Sequence, residues 1–168
     1  KIFEFTSIWM DNLRGGKTQI VNTNKLLKTY KGITGLKTGT TSQAGSCISA
    51  TAQRDGLTLV AVVLGSTGGK ERFTDAAALL DYGFANYCIY TPVFKEDIPE
   101  ISVKNGMQPN LKAAANISGS FVIEKGRSKE VTYRLNVKKE VEAPVNKGDN
   151  VGTLSFYIGK DKLREYPA

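Results

Sequence analysis

One glycine-rich segment of the sequence has the residue types of a phosphate-binding loop. Gly65-Ser66-Thr67-Gly68-Gly69-Lys70 follows an apolar stretch and opens a predicted helix, which is where such a loop belongs. Its spacing does not fit, because Gly65 and Gly69 enclose three residues where the loop needs about four. The residue after the lysine should bring a hydroxyl to Mg²⁺, whereas Glu71 brings a carboxylate that repels phosphate. A flexible strand-to-helix connection is the better interpretation, and nucleotide binding is a distant alternative.

A second candidate is the tripeptide Lys37-Thr38-Gly39, at the end of a short strand predicted over 33–38 and before a predicted turn over 39–42. Taken alone the tripeptide is a weak signal, because a Thr-Gly turn after an edge strand has the same composition. The sequence contains no histidine, which excludes a Ser-His-Asp site within the chain. No serine is followed by lysine at the third position or by asparagine at the second.

The elements around this tripeptide can be read from the pattern. Residues 46–54 and 57–65 flank Asp55-Gly56, which predicts a β-hairpin with a type I′ turn. The second strand is apolar on both faces, so we expect it inside a sheet that is covered on both sides. Apolar residues recur at spacings of three and four over 71–87, which predicts a helix that covers one face of the sheet.

The pattern changes at Thr91-Pro92. Beyond it, turn signals such as Asn105-Gly106 and Lys125-Gly126 separate short segments rich in β-branched and aromatic residues. The segments 120–124, 131–137 and 151–158 are the best strand candidates. This half therefore predicts an all-β module of the sandwich type.

Composition excludes several classes of protein. The chain has 168 residues, 40% of them hydrophobic and 23% charged, as in folded soluble domains. The net charge of +7 is spread along the chain, and no basic run has the interleaved aromatic residues that nucleic-acid binding favours. We therefore expect no nucleic-acid partner. The longest apolar run, Leu59 to Leu64, is too short to cross a bilayer.

The surroundings of Lys37-Thr38-Gly39 resemble the KTG region of low-molecular-weight penicillin-binding proteins of the serine-type D-alanyl-D-alanine carboxypeptidase family. The similarity covers most of the chain and is strongest over about 24–87. The residues that carry it are Gly35-Leu36-Lys37-Thr38-Gly39-Thr40-Thr41, Ala44-Gly45, Ser49-Ala50-Thr51-Ala52, Arg54-Asp55-Gly56, Leu59 to Gly65, Arg72-Phe73, Leu79-Leu80-Asp81-Tyr82-Gly83-Phe84, Ala143-Pro144 and Val151-Gly152-Thr153-Leu154.

The resemblance implies part of the α/β (α+β) fold of penicillin-recognising serine enzymes. Antiparallel sheet strands and the covering C-terminal helix would form the C-terminal portion of a transpeptidase-like catalytic domain over residues 1–91. An all-β, sandwich-like C-terminal domain would follow over residues 92–168. The implied reaction removes the terminal D-Ala from peptidoglycan stem peptides through an acyl-serine intermediate, without metal or cofactor, and β-lactams inhibit it.

The resemblance also implies roles for five residues. Lys37 would supply positive charge to the site, and the backbone N–H of Thr40 would be an oxyanion-hole donor. The Thr38 hydroxyl would bind the terminal carboxylate of the substrate, and Gly39 would let the substrate backbone lie along the strand. Arg72 matches an arginine that helps bind this carboxylate, although an exposed helix residue is an equal interpretation.

The family's Ser-x-x-Lys and Ser-x-Asn motifs are absent from the sequence. We therefore expect the chain to be the C-terminal part of a longer protein, inactive alone and completed by the N-terminal part of the same protein. The pentapeptide of peptidoglycan and β-lactams would be its ligands. The resemblance implies export to the outer face of the bacterial cytoplasmic membrane, with peripheral anchoring through a C-terminal segment that this sequence lacks.

Two alternatives remain open from the sequence. Another penicillin-recognising enzyme, a β-lactamase or an endopeptidase, would share the KTG strand, although the appended β-module argues against a β-lactamase. A non-catalytic module that binds the cell wall or a protein partner would use the tripeptide only as a turn.

Overall fold

The computed structural model describes residues 2–168, which form two compact units, 2–88 and 89–168. The division lies a few residues before the change of pattern at Thr91-Pro92. The helices and strands of the first unit are α1 (Ile2–Thr6), β1 (Met10–Leu13), β2 (Thr18–Val21), α2 (Leu26–Thr29), β3 (Ile33–Thr41), β4 (Gly45–Arg54), β5 (Leu57–Ser66) and α3 (Glu71–Asn86).

The centre of the first unit is an antiparallel meander of three consecutive strands in the order β3-β4-β5. The turn between β4 and β5 has positive φ angles at Asp55 (49°) and Gly56 (80°). A type I′ turn requires positive φ at both central residues, so the predicted hairpin and its turn are confirmed. The helix predicted over 71–87 is confirmed as α3, which ends one residue earlier at Asn86.

Helix α3 covers one face of this sheet. An added Cβ at Gly83 would come within 2.5 Å of Leu59 Cδ1, so the missing side chain of Gly83 leaves room for Leu59 of β5 to pack directly on the helix backbone. The side chains buried in this layer are Ile48, Ala50, Ala52, Leu57, Ala61, Phe73, Ala76, Leu80 and Phe84. Burial of this apolar set holds the sheet against the helix.

Two expectations about the strands were wrong. The turn expected over 39–42 begins later, because β3 continues to Thr41 and pairs with β4 up to Gly45. Strand β5 is an edge strand with one open face, where Val60, Val62 and Leu64 are 62%, 56% and 75% exposed, so residues 2–168 do not supply the cover that was expected on both faces. The hydrophobic composition of β5 indicates that both faces favour burial, but it does not identify the element that covers the second face.

A polar cluster ties α2, β4 and α3 together. The Tyr30 hydroxyl donates a hydrogen bond of 2.6 Å to Asp81 Oδ1, and Arg54 Nη1 lies 3.6 Å from the same oxygen. The Arg54 guanidinium also lies 4.6 Å from the ring centroids of Tyr30 and Phe84. Burial and the hydrogen bond to Asp81 raise the pKa of Tyr30 to about 12.

The raised pKa of Tyr30 predicts a loss of stability at high pH. The stabilisation is complete below the ordinary tyrosine pKa of about 10 and disappears as the pH rises towards 12, because the unfolded chain releases this proton more readily. With allowance for solvent screening, Tyr30→Phe should lower the free energy of unfolding by on the order of 1 kcal/mol at pH 8 and by less at pH 11.5. Urea unfolding measures both values.

Tyr82→Phe provides the matched control, since Tyr82 is 62% exposed on the same helix as Asp81. Its free energy of unfolding should stay within about 0.5 kcal/mol of the unsubstituted value at both pH values. A Tyr30→Phe difference that stays constant or grows with pH would contradict the assignment.

The second unit is built from strands, as expected. Of its described residues, Arg127–Glu130 form a short 3₁₀ turn. The strands are β6 (Tyr87–Tyr90, which spans the division), β7 (Ile101–Lys104), β8 (Asn110–Leu111), β9 (Phe121–Glu124), β10 (Val131–Val137), β11 (Glu140–Glu142), β12 (Gly152–Ile158) and β13 (Asp161–Pro167). They form the sheets β10-β12-β13, β11-β7-β8 and β6-β9.

Aromatic side chains fill the core of the second unit. Phe156 is 1% exposed, and its ring centroid lies 6.0 Å from those of Phe121 and Tyr166 and 6.2 Å from that of Tyr133. Leu154 and Ile101 are equally buried. The predicted all-β domain therefore has a hydrophobic core of its own. Within residues 2–168, no helix is both long enough and apolar enough to cross a membrane.

Candidate functional site

Lys37 and Thr38 lie on opposite faces of the sheet. Lys37 pairs with Ser49 and Thr38 with Ile48 across the β3–β4 ladder, and paired residues share a face. Ile48 is buried on the face that α3 covers, so Thr38 is on the helix side. Lys37 is exposed on the open face, which it shares through Ser49 with Val62. The tripeptide is therefore part of a continuous strand and not a turn.

The guanidinium of Arg72 holds the end of β3. From the first turn of α3, Arg72 Nη1 donates to the Gly39 carbonyl oxygen at 3.1 Å, to Thr40 Oγ1 at 3.0 Å and to the Cys47 carbonyl oxygen at 3.4 Å. The side chain is half-buried, and its guanidinium carbon lies 4.9 Å from the centroid of the Phe73 ring. Arg72 is thus a cation fixed beside the predicted ligand-binding strand, and not a free residue on the helix surface.

The Thr38 hydroxyl already has a partner within the chain. Thr38 is 7% exposed, and its Oγ1 lies 2.5 Å from Oγ1 of Thr23. Thr23 lies between Asn22 and Asn24 in the loop that precedes α2, and it was not identified from the sequence as a site residue. The two asparagines that flank Thr23 are a sequence signal that the loop is ordered, because such side chains fix the local backbone through hydrogen bonds.

Strand β3 lies at the edge of its sheet, so alternate backbone N–H and C=O groups of the strand face away from β4. Gly39 and Thr40 are exposed near the end of this strand, and nothing lies within 4 Å of a Cβ added at Gly39. The Lys37 ammonium donates a short hydrogen bond to the Thr38 carbonyl oxygen. The site thus combines an accessible strand, two cations and two threonine hydroxyls.

The glycine-rich segment before α3 is filled by the protein itself. An added Cβ at Gly68 would lie 1.8 Å from the Glu71 carboxylate, so this carboxylate folds back over the loop. Ser66 Oγ donates to the Gly68 carbonyl oxygen at 3.3 Å. A carboxylate in this place occupies the position that a phosphate would need and repels anions. As for metals, the part of the chain that the structure describes holds no group of three or more His, Cys, Asp and Glu residues suited to an ion.

Two protein-family models match the chain, one in each half. The model of D-alanyl-D-alanine carboxypeptidase matches residues 2–68, and the model of the C-terminal domain of penicillin-binding protein 5 matches residues 90–168. The first match includes the whole of β3 and its neighbours β4 and β5, and the second covers nearly all of the second unit.

Curated relatives match over both halves together. The chain is 33% identical to the D-alanyl-D-alanine carboxypeptidase DacF of Bacillus subtilis, over 99% of the chain and 44% of the relative. It is 32% identical to DacC of Escherichia coli, a D-alanyl-D-alanine carboxypeptidase, over 87% of the chain and 37% of the relative. The chain therefore spans about two fifths of the length of these relatives.

A solved structure has a similar fold. Penicillin-binding protein 5 from Haemophilus influenzae superposes with a TM-score of 0.78 at 28% identity, over 97% of the chain and 48% of that protein. The chain therefore has the expected part of the penicillin-recognising fold, followed by a C-terminal β domain.

Proposed function

The chain belongs to the D-alanyl-D-alanine carboxypeptidase family of penicillin-binding proteins, and on this premise we propose that it supplies the substrate-binding strand of a serine D,D-carboxypeptidase. The observation that carries the proposal is the pair of hydrogen bonds from Arg72 Nη1 to the Gly39 carbonyl oxygen and to Thr40 Oγ1, at the accessible edge of β3. This arrangement puts a fixed cation beside a strand along which a peptide can lie.

In the proposed reaction a serine outside the present sequence attacks the carbonyl of the terminal D-Ala-D-Ala bond. D-alanine leaves, and water hydrolyses the serine ester. The substrate backbone lies along β3 beside Gly39, and its terminal carboxylate is bound by the Thr38 hydroxyl and by the charge of Arg72. The backbone N–H of Thr40 stabilises the developing oxyanion, and Lys37 contributes positive charge next to the attacking serine. β-Lactams occupy the same position and form slow esters.

The proposed enzyme also needs the N-terminal part of the same protein. The apolar stripe Val60, Val62 and Leu64 on β5 is exposed beside an open sheet edge, which is a surface that folded proteins normally cover. Lys37 is on the same face of the sheet as this stripe. A partner that covers the stripe therefore lies on the side where Lys37 can meet a nucleophile.

The place of action follows from the substrate. Peptidoglycan lies outside the cytoplasmic membrane, so the proposed enzyme acts on the outer side of that membrane, with peripheral anchoring by a segment outside the present sequence. This localisation is tested by cell fractionation of the whole protein.

Labelling with a fluorescent penicillin tests the proposed function. Three samples are compared: the whole protein, residues 1–168 alone, and residues 1–168 mixed with the separately produced N-terminal part. We expect labelling of the whole protein, none of residues 1–168 alone, and recovery in the mixture because the N-terminal part covers β5. Labelling of residues 1–168 alone would place the nucleophile in this chain and contradict the proposal.

Absence of labelling in the whole protein would favour a non-catalytic wall-binding module. In that case purified peptidoglycan should retain the protein, and Lys37→Ala should not reduce the retention.

A further inference from the structure

We infer that Thr23 is a positioning residue for the carboxylate-binding hydroxyl of Thr38. This inference rests on the proposed function and adds to it a residue outside the KTG strand. Its basis is the pair of hydroxyl oxygens 2.5 Å apart, Thr23 Oγ1 and Thr38 Oγ1, at the edge of a strand that carries the proposed substrate site.

The chemistry of the pair depends on which hydroxyl donates. Each threonine hydroxyl has a single proton, whereas a carboxylate only accepts hydrogen bonds. If Thr38 donates to Thr23, it has no proton left for a carboxylate. If Thr23 donates to Thr38, the proton of Thr38 is free to point at the ligand. With Thr23 as the donor, Thr38 accepts one hydrogen bond and donates its own proton to the anion, and donation along such a row strengthens each bond. The inference is that a bound carboxylate selects this direction.

The backbone around Thr23 is fixed by its neighbours. Asn22 Nδ2 donates to the carbonyl oxygens of Thr6 (3.3 Å) and Ile8 (3.1 Å), and Asn22 Oδ1 accepts from the N–H of Asn24 at 2.9 Å. The Asn24 side chain is 1% exposed, and its Oδ1 accepts from the N–H of Leu26 at 3.1 Å. These bonds hold Thr23 in place although the residue itself is exposed.

The Thr23–Thr38 pair lies on the same face of β3 as the contact between Arg72 and Thr40. Thr38 and Thr40 are two residues apart and share a face of β3, which separates them by roughly 7 Å. Arg72 Nη1 donates to Thr40 Oγ1 on this face. A carboxylate between these two threonines could accept from Thr38 and be attracted by Arg72. The ligand class that the pair recognises is thus a terminal carboxylate, as in an acyl-D-Ala-D-Ala peptide or a penicillin acid.

The test uses Thr23→Val and Thr23→Ser in the whole protein. Valine keeps the shape and removes the hydroxyl, and serine keeps the hydroxyl. The measurements are the second-order acylation rate constants with benzylpenicillin and with its methyl ester, which lacks the carboxylate. We expect Thr23→Val to slow acylation by the acid about tenfold and by the ester less than twofold. Thr23→Ser should be acylated by the acid at a rate within about twofold of that of the unsubstituted protein.

The matched control is Thr29→Val, which removes the hydroxyl of another exposed threonine that bonds to the Lys25 carbonyl oxygen. It should react with both compounds at the unsubstituted rate. Equal slowing of acid and ester by Thr23→Val, or no slowing of either, would overturn the inference and leave the proposed function intact. If the unsubstituted protein reacts with neither compound, the proposed function fails, and the role of Thr23 fails with it.

Discussion

Lys37→Ala in the whole protein should lower the rate constant of acylation by benzylpenicillin about 10²- to 10³-fold. Electrostatic stabilisers at developing charge usually have effects of this size, because they are already oriented when the charge forms. Lys37 is exposed on the open face of the sheet, and the chain has no histidine that could take its place. Stopped-flow or gel-based labelling with fluorescent penicillin measures the rate.

The control for Lys37 is Lys31→Ala, an exposed lysine just before β3 on the same segment of chain. It should acylate within about twofold of the unsubstituted protein, and both variants should unfold at the same urea concentration, since exposed substitutions change stability by about 0.5 kcal/mol or less. Acylation of Lys37→Ala within tenfold of the unsubstituted rate would show that the site does not depend on this charge.

Arg72→Lys should have the second largest effect, about a 10- to 100-fold decrease in kcat/KM for a D-Ala-D-Ala peptide. Lysine keeps the positive charge but has only one nitrogen, so an ammonium that donates to the Gly39 carbonyl and the Thr40 hydroxyl, as Arg72 Nη1 does, has no second nitrogen for a carboxylate. The loss should appear mainly as a higher KM, because the proposed partner of Arg72 is the substrate carboxylate, which is bound in the ground state and in the transition state.

Lys70→Ala controls for a general loss of charge near the start of α3, because Lys70 directly precedes the helix. Its kcat/KM should stay within about twofold of the unsubstituted value. A second variant, Arg72→Met, keeps the aliphatic stem against Phe73 and removes the guanidinium. If kcat/KM for Arg72→Lys equals the unsubstituted value, the prediction is wrong. The site then needs a positive charge at this position, but not the hydrogen-bond geometry of the guanidinium.

Local signals in the sequence were sufficient for the elements that carry the site. The Asp55-Gly56 turn determines the hairpin because few residue pairs accept two positive φ angles. The periodic apolar residues of α3 identified the helix and the face that it buries, including Phe73 and Leu80. In the second unit, the strand predicted over 131–137 matches β10 (Val131–Val137) without a shift.

Properties that depend on distant parts of the chain were predicted less well. The composition of β5 indicated an apolar strand, but not that Val62 would face solvent. Exposure of a strand depends on which other strands and helices pack against it, and the strand's own residues do not determine this. The strand β3 runs past Gly39, since pairing with β4 outweighs the turn preference of Gly39 and Ser42. The Thr23–Thr38 contact joins residues 15 positions apart, and no periodicity in the sequence indicates it.

The order of the strands has a consequence for how the protein folds. The chain passes directly from β3 to β4, β5 and α3, and each of these elements packs on one that precedes it. The residues in contact are therefore separated by short connections, such as the two-residue turn Asp55-Gly56. Short loop closure costs little entropy and is fast, with hairpins forming in about 1–10 μs. The segment that carries Lys37 and Arg72 should therefore form early, and the site strand should reach its final register before the rest of the protein has assembled.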